Sequence, residues 1–297
     1  MKKNTSNAAD STGIEKPAVL TNVITPDDKS ETVQVQQLEQ IGKGAFGVIY
    51  KGLLKDQAIA IKETGNRNLN EIKIMCLLAK LHAPYVVHLI AYSYSLEDRS
   101  NRLYLQYMKN NSIKKYIKAN PQPEDWSLRY LWIQEIARGL AYLHQLKIVH
   151  KDIKADNILL DDDLHAKISD FGFAEIMEND RLTSATGSLL WVAPEVFQRM
   201  SHNEKADIFS LAVTIWEIAN WKEPQPYKPE EEFLVTDLAI QVLEKRQSTD
   251  EIGKPKLAKL ITWGWQGNPE NRPSAKEVVE ELESGIDTLS ENLLSRQ

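Results

Sequence analysis

His150-Lys151-Asp152-Ile153-Lys154-Ala155-Asp156-Asn157, followed thirteen residues later by Asp170-Phe171-Gly172, sets the carboxylates of Asp152 and Asp170 and the side-chain amide of Asn157 at fixed intervals along the chain. Phosphoryl transfer needs one group to receive a hydroxyl proton and separate oxygen ligands to clamp a hard divalent cation, and one carboxylate cannot do both. Asp152 suits the first task, while Asp170 and Asn157 suit the second as carboxylate and amide oxygen donors. Lys154 lies between them, where its fixed charge would face a phosphate and keep Asp152 ionised, although a lysine on a loop is usually a solvated surface group. Asp-Phe-Gly alone is a frequent accident in 297 residues, so the reading rests on further motifs falling in order.

Working upstream, Gly42-Lys43-Gly44-Ala45-Phe46-Gly47-Val48 offers three glycines whose missing Cβ atoms let backbone N–H groups approach phosphate oxygens. A dinucleotide-binding unit would run from such a loop into a helix. Here Val48-Ile49-Tyr50-Lys51-Gly52 alternates instead, and a turn at Lys55-Asp56-Gln57 leads to a second strand, Ala58-Ile59-Ala60-Ile61-Lys62. Lys62, flanked by apolar strand residues, needs a carboxylate partner to stay charged. Glu71 is the candidate, on a segment where Leu69, Ile72, Cys76 and Ala79 recur at helical spacing; Glu63 faces the other side of the strand. Arg102-Leu103-Tyr104-Leu105-Gln106-Tyr107-Met108 reads as a buried strand entering a polar segment.

Downstream, Leu128, Leu131, Ile136, Leu140 and Leu143 mark a long buried helix over 128–146 leading to His150. Ile158-Leu159-Leu160 and Ala166-Lys167-Ile168-Ser169 read as a hairpin delivering Asp170, with Asp161-Asp162-Asp163 as a solvated turn between them. Gly187-Ser188-Leu189-Leu190-Trp191-Val192-Ala193-Pro194-Glu195 closes the next segment, and Asp207 opens a further buried helix.

These elements, in this order across residues 35–285, resemble a eukaryotic-type protein kinase domain, and the Ser188-to-Glu195 stretch with Trp265 before Pro269 and Arg272 resembles the tyrosine-kinase-like group of Ser/Thr kinases. The resemblance implies an α+β, two-lobed protein kinase fold: a small antiparallel-sheet N-lobe with one regulatory helix, and a large, mainly helical C-lobe. It implies Mg-ATP-dependent transfer to protein serine or threonine, with ATP and Mg²⁺ as cofactors. Asp152 is then the catalytic base, Lys154 its companion at the γ-phosphate, Lys62 the α,β-phosphate lysine paired with Glu71, and Asn157 and Asp170 the metal ligands. Gly42, Gly44 and Gly47 cover the phosphates. Val48, Ala60 and Leu159 sandwich the adenine, Leu105 is the gatekeeper, and Gln106 and Met108 offer main-chain groups to the base. Glu195 pairs with Arg272, and Asp207 anchors the backbone around His150.

Two departures stand out. Only nine positions separate Lys62 from Glu71, fewer than is typical of the family, and Lys151 replaces the arginine expected between His150 and Asp152. A lysine supplies charge without the planar fork that reads a phosphate bidentately, so control by phosphate at Thr183, Ser184 or Thr186 is as open as a plain polar loop. The rival function is a pseudokinase or scaffold that binds nucleotide and partners without turnover; its usual mark is loss of Lys62, Asp152 or Asp170, all present here.

A net charge of −6 argues against a nucleic-acid or anionic-membrane partner, and the sequence shows neither an 18-residue apolar run nor a signal peptide. Cys76 is the single cysteine, which fits a reducing, cytoplasmic compartment, that of its own cell or of a host. Residues 1–32 read as a flexible segment without fold, 33–285 as the kinase domain with lobes at 33–108 and 109–285, and 286–297 as a tail. Partners are expected to be protein substrates, with self-association for autophosphorylation.

Overall fold

The computed structural model describes residues 18–44, 47–65, 69–95, 100–177, 182, 188, 190–222 and 248–284. Two compact units divide the chain: residues 1–68 with 89–107, and residues 69–88 with 108–297.

In the first unit, β1 (Val19–Ile24), β2 (Ser30–Gly44), β3 (Gly47–Leu54), β4 (Gln57–Gly65), β5 (Leu89–Ser95) and β6 (Ser100–Gln106) form a closed antiparallel barrel in the order β1-β2-β3-β4-β6-β5. Closure hides the unpaired edges an open sheet would expose. Val23, Val33, Val35, Leu54, Ile59, Ile61, Ala91 and Tyr104 alternate inward as its core. The β3–β4 turn places Lys55 and Asp56 at φ of 49° and 65°, the paired left-handed residues of a tight hairpin turn that matches strand twist.

β1 corrects the expectation of a foldless segment through residue 32. The polar composition of the lead-in conceals Val-Leu-Thr-Asn-Val-Ile, a β-branched run that pairs with β2 over Val19↔Val35 to Ile24↔Ser30 and buries Val23 to 2% exposure.

The second unit holds α1 (Leu69–Lys80), α2 (Ile113–Ala119), α3 (Ser127–Gln145), α4 (Pro194–Phe197), α5 (Lys205–Asn220), α6 (Pro255–Gly264) and α7 (Ala275–Glu283). It also holds the short strands β7 (Ile148–Val149), β8 (Ile158–Leu160), β9 (Ala166–Ile168) and β10 (Glu175–Ile176). α1 groups with the helical unit, where Asn70 Nδ2 donates to the Ala174 carbonyl at 2.9 Å.

α3 buries Trp132, Ile133, Ile136, Leu140 and Leu143, each at 1% exposure or less. α5 is buried from Ala206 to Ala219 on every side, as an apolar-all-round helix must be in a soluble protein. Gly264 permits its close contact with α6, since a Cβ there would stand 2.8 Å from that of Ala212. Ser274 and Glu277 cap α7 reciprocally. Among the described residues, no helix is long and apolar enough to cross a membrane.

Candidate active site

Asp207, in the first turn of α5 and fully buried, takes the His150 and Lys151 N–H groups at 2.8 Å on its two oxygens, with His144 Nε2 3.0 Å away. Burial pushes this carboxyl's pKa up, but the hydrogen bond and charge of His144 outweigh it and hold the group below the ordinary aspartate value. Its two backbone bonds matter because Lys151 has φ of +68°, a left-handed conformation that non-glycine residues keep only when their surroundings impose it.

The His150 ring then joins two loops. Its Nε2 lies 2.9 Å from the Ser169 carbonyl and its Nδ1 3.3 Å from the Asp152 N–H, so the Nε2–H tautomer satisfies both, and Phe171 packs edge-on at 4.9 Å.

Asp152 is 4% exposed and its carboxylate meets four donors. Oδ1 accepts the Ser188 N–H at 3.0 Å and the Ser188 hydroxyl at 2.8 Å; Oδ2 accepts Lys154 Nζ at 2.8 Å and Asn157 Nδ2 at 2.7 Å. Lys154 Nζ also donates to Ser188 Oγ at 2.6 Å, closing a ring of side chains. Burial raises the Asp152 pKa, while the Lys154 hydrogen bond and charge and the Ser188 hydroxyl bring it down, with a net lowering. The carboxylate is therefore ionised at neutral pH.

Asn157 spends its amide nitrogen on Asp152, at the carboxylate and at the backbone carbonyl 2.8 Å away, which turns Oδ1 elsewhere. Its own carbonyl accepts the Ser169 N–H at 2.9 Å and hydroxyl at 2.8 Å, so Asp170, the next residue, is held beside Asn157 at the end of the β8–β9 hairpin with φ of +63°. The Asp161-to-Asp163 turn is local structure: Asp161 Oδ1 accepts the N–H groups of Asp163 and His165 at 3.1 and 2.9 Å.

Lys151 Nζ lies 2.9 Å from Glu175 Oε2 on β10, which pairs with β7. Thr183, Ser184, Thr186, Gly187 and Leu189 lie outside the described residues, as do Ala45 and Phe46 of the glycine-rich loop and the 286–297 tail. Arg272 meets Glu195 in a buried bidentate pair at 2.7 and 2.8 Å, and its other donors reach the carbonyls of Lys205, Gln266 and Gly267, so all five N–H groups are used.

The barrel unit carries the glycines, Val48, Ala60, Lys62, Leu105 and Gln106 of the expected set. Gly47 has φ of +134°, and a Cβ there would stand 1.8 Å from the Glu63 carbonyl oxygen, so hairpin geometry alone demands glycine. At Gly44 a Cβ would meet nothing, and at Gly42 only ordinary contact with Ile49. Register corrects one residue. Ile49 pairs with Lys62 and Lys51 with Ala60, so Ile49, Ala60, Lys62 and Leu105 share the sheet face outside the barrel core; Val48 pairs with Glu63 and faces the other way. The strand phase after the third glycine therefore makes Ile49, and not Val48, the companion of Ala60. Glu63 is bound to Arg102 at 2.8 Å on that other face. Lys62 is 5% exposed, and Gln106 ends β6 opposite Ile59. In the second unit, Glu71 on α1 is 2% exposed, Met108 is buried, and Leu159 is half-buried on β8.

The motif reading missed Glu217, a 2%-exposed acid on apolar α5 whose Oε2 accepts Trp191 Nε1–H at 2.7 Å and the Ala155 N–H at 3.2 Å. A charge inside an otherwise apolar run was the available signal.

Residues 35–282 match the family described as protein tyrosine and serine/threonine kinase. A probable leucine-rich-repeat receptor-like serine/threonine-protein kinase of Arabidopsis thaliana is 37% identical over 232 residues, 73% of this chain and 22% of the relative. The mouse serine/threonine-protein kinase TNNI3K is 31% identical over 265 residues, 84% of this chain and 31% of the relative. A putative serine/threonine-protein kinase/receptor of Acanthamoeba polyphaga mimivirus is 29% identical over 258 residues, 83% of this chain and 15% of the relative. The chain thus spans under a third of the length of these curated relatives. With its strand-built first unit, its helical second unit and this match over most of its length, the chain belongs to the protein tyrosine and serine/threonine kinase family and has the two-lobed α+β kinase fold.

Proposed function

We propose that the chain is a Mg-ATP-dependent protein serine/threonine kinase with Asp152 as its catalytic base. The observation carrying this reading is the ring of Lys154, Ser188 and Asn157 around the ionised Asp152.

When bound, Mg-ATP supplies the γ-phosphoryl group and a divalent charge that offsets its oxygens. Asp170 and the Asn157 amide oxygen fit such an ion because both are hard oxygen donors, and Ser169, which precedes Asp170, bonds the Asn157 backbone carbonyl. Gly42 and Gly44, where packing sets no demand for glycine, fit close approach of backbone to phosphate. The family pattern assigns Ile49, Ala60, Gln106, Met108 and Leu159 to the adenine. Lys62 and Glu71 are assigned to each other by the family pattern; both are ionisable groups at 5% exposure or less, where an unpaired charge is costly.

Asp152 would accept the acceptor hydroxyl's proton as that oxygen bonded the γ-phosphorus and the bond to the bridging β-phosphate oxygen broke, with ADP as the leaving group. Its four lone-pair sites are already taken, so the incoming hydroxyl replaces one donor. The Ser188 hydroxyl is the exchangeable one, because the Ser188 N–H remains on the same oxygen. Lys154 stays within reach of both Asp152 and the transferring group. The serine/threonine-kinase names of the relatives favour serine or threonine over tyrosine as the acceptor.

The test uses three peptides differing only in Ser, Thr or Tyr at one position, with Mg-ATP. Phosphorylation of the Ser and Thr peptides is expected, and its loss in Lys62→Met and Asp170→Asn with unchanged melting temperature. Preference for the Tyr peptide would overturn the specificity, and near-normal turnover in both variants would overturn the site.

A further inference from the structure

Glu217 touches the two segments that grip Asp152 from opposite sides. Through Ala155 it holds the residue after Lys154; through Trp191 it holds the segment bearing Ser188, because the N–H groups of Trp191 and Val192 both bond the Ser188 carbonyl, at 2.9 and 3.0 Å. The Trp191 backbone is fixed separately by the Ser210 hydroxyl at 2.7 Å, also from α5. One carboxylate oxygen thus serves as the common origin of the Lys154 and Ser188 arms. An apolar side chain could fill this space with less desolvation cost than a buried acid, but it would fix neither arm in direction.

We infer that Glu217 is a positioning residue for the phosphoryl acceptor: it sets the separation of Lys154 and Ser188 about Asp152, and through it the place of the acceptor hydroxyl. The inference rests on the kinase reading of Asp152. Catalysis is sensitive on this scale, since a displacement of about 1 Å can cost on the order of a hundredfold in rate. ATP binding does not pass through these bonds, so its KM is the internal control.

The full chain is compared with Trp191→Phe, Glu217→Gln, Glu217→Ala and the Trp191→Phe/Glu217→Ala double variant, by steady-state phosphorylation of a Ser peptide and by amide hydrogen exchange. Trp191→Phe keeps a ring and removes the donor; its kcat falls about tenfold with KM for ATP within about twofold. Glu217→Ala falls further, the double variant no further than Glu217→Ala, and Glu217→Gln, whose amide oxygen still accepts, recovers most of the rate. An unchanged kcat in Trp191→Phe, or fully additive losses, would overturn the inference. A full chain that transfers no phosphate would sink the kinase reading on its own, and the coupling is then read from exchange. In Glu217→Ala the amides of Ala155, Trp191 and Val192 should lose protection while those of Val87 and Ile168 keep it; retained protection at Ala155 refutes the coupling.

Discussion

Asp152 combines deep burial with an ionised carboxylate because Lys154, Asn157 and Ser188 donate to it. Its folded-state pKa is lowered, so the charge, and the stability it confers, are present above the ordinary aspartate value and are lost only as pH falls through the lowered one. The kcat profile should accordingly show no acid limb from this residue above about pH 4. Lys154→Ala removes the principal charge lowering the pKa, and should move an acid limb upward while cutting kcat by roughly 10²-fold or more; a profile that does not move would separate Lys154 from the ionisation of Asp152. The clustering of Lys154, Asn157 and Ser188 around Asp152 involves residues that the sequence reading had singled out, because they lie in short motifs. Ile49 was misread as Val48 because a period of two flips faces with a one-residue error in phase, and only pairing to β4 sets that phase. Glu217 was legible only as a charge inside an apolar run; its partners were not, because Ala155 and Trp191 lie 62 and 26 positions away.

At the scale of elements, helices announced themselves through periodicity: the apolar stripe predicted over 128–146 is α3, although Trp132 and Ile133 are more deeply buried than Leu128 and Leu131. β1 did not, since a six-residue strand gains its order from pairing with β2 and not from local preference. Val23→Asp places a charge in the barrel core and should destabilise the protein by at least about 2 kcal/mol, the worth of one buried apolar side chain; a denaturant midpoint equal to that of the unaltered protein would mean β1 adds nothing to the barrel. Arg272 joins α4 to the chain before α7 with a planar fork whose five donors are all engaged. Arg272→Lys keeps the charge but offers three donors at most, leaving buried acceptors unmet, and should cost on the order of 3 kcal/mol. A loss below about 0.5 kcal/mol would show that charge alone suffices there.

At the scale of the molecule, the glycine-rich stretch and Lys62 lie in the barrel unit, and Asp152, Asn157 and Asp170 lie in the helical unit. The order of motifs made this architecture readable, whereas the contact of α1 with Ala174 was not, because Asn70 and Ala174 lie 104 positions apart. The central claim is that Asp152 drives transfer from ATP to a serine or threonine hydroxyl. It is tested most directly by incubating the purified chain and its Asp152→Asn variant with Mg²⁺ and labelled ATP, and identifying the phosphorylated amino acids. Phosphoserine or phosphothreonine in the unaltered chain, reduced at least about a hundredfold in Asp152→Asn, is the predicted result; no label in the unaltered chain, predominant phosphotyrosine, or equal label in both proteins would contradict it.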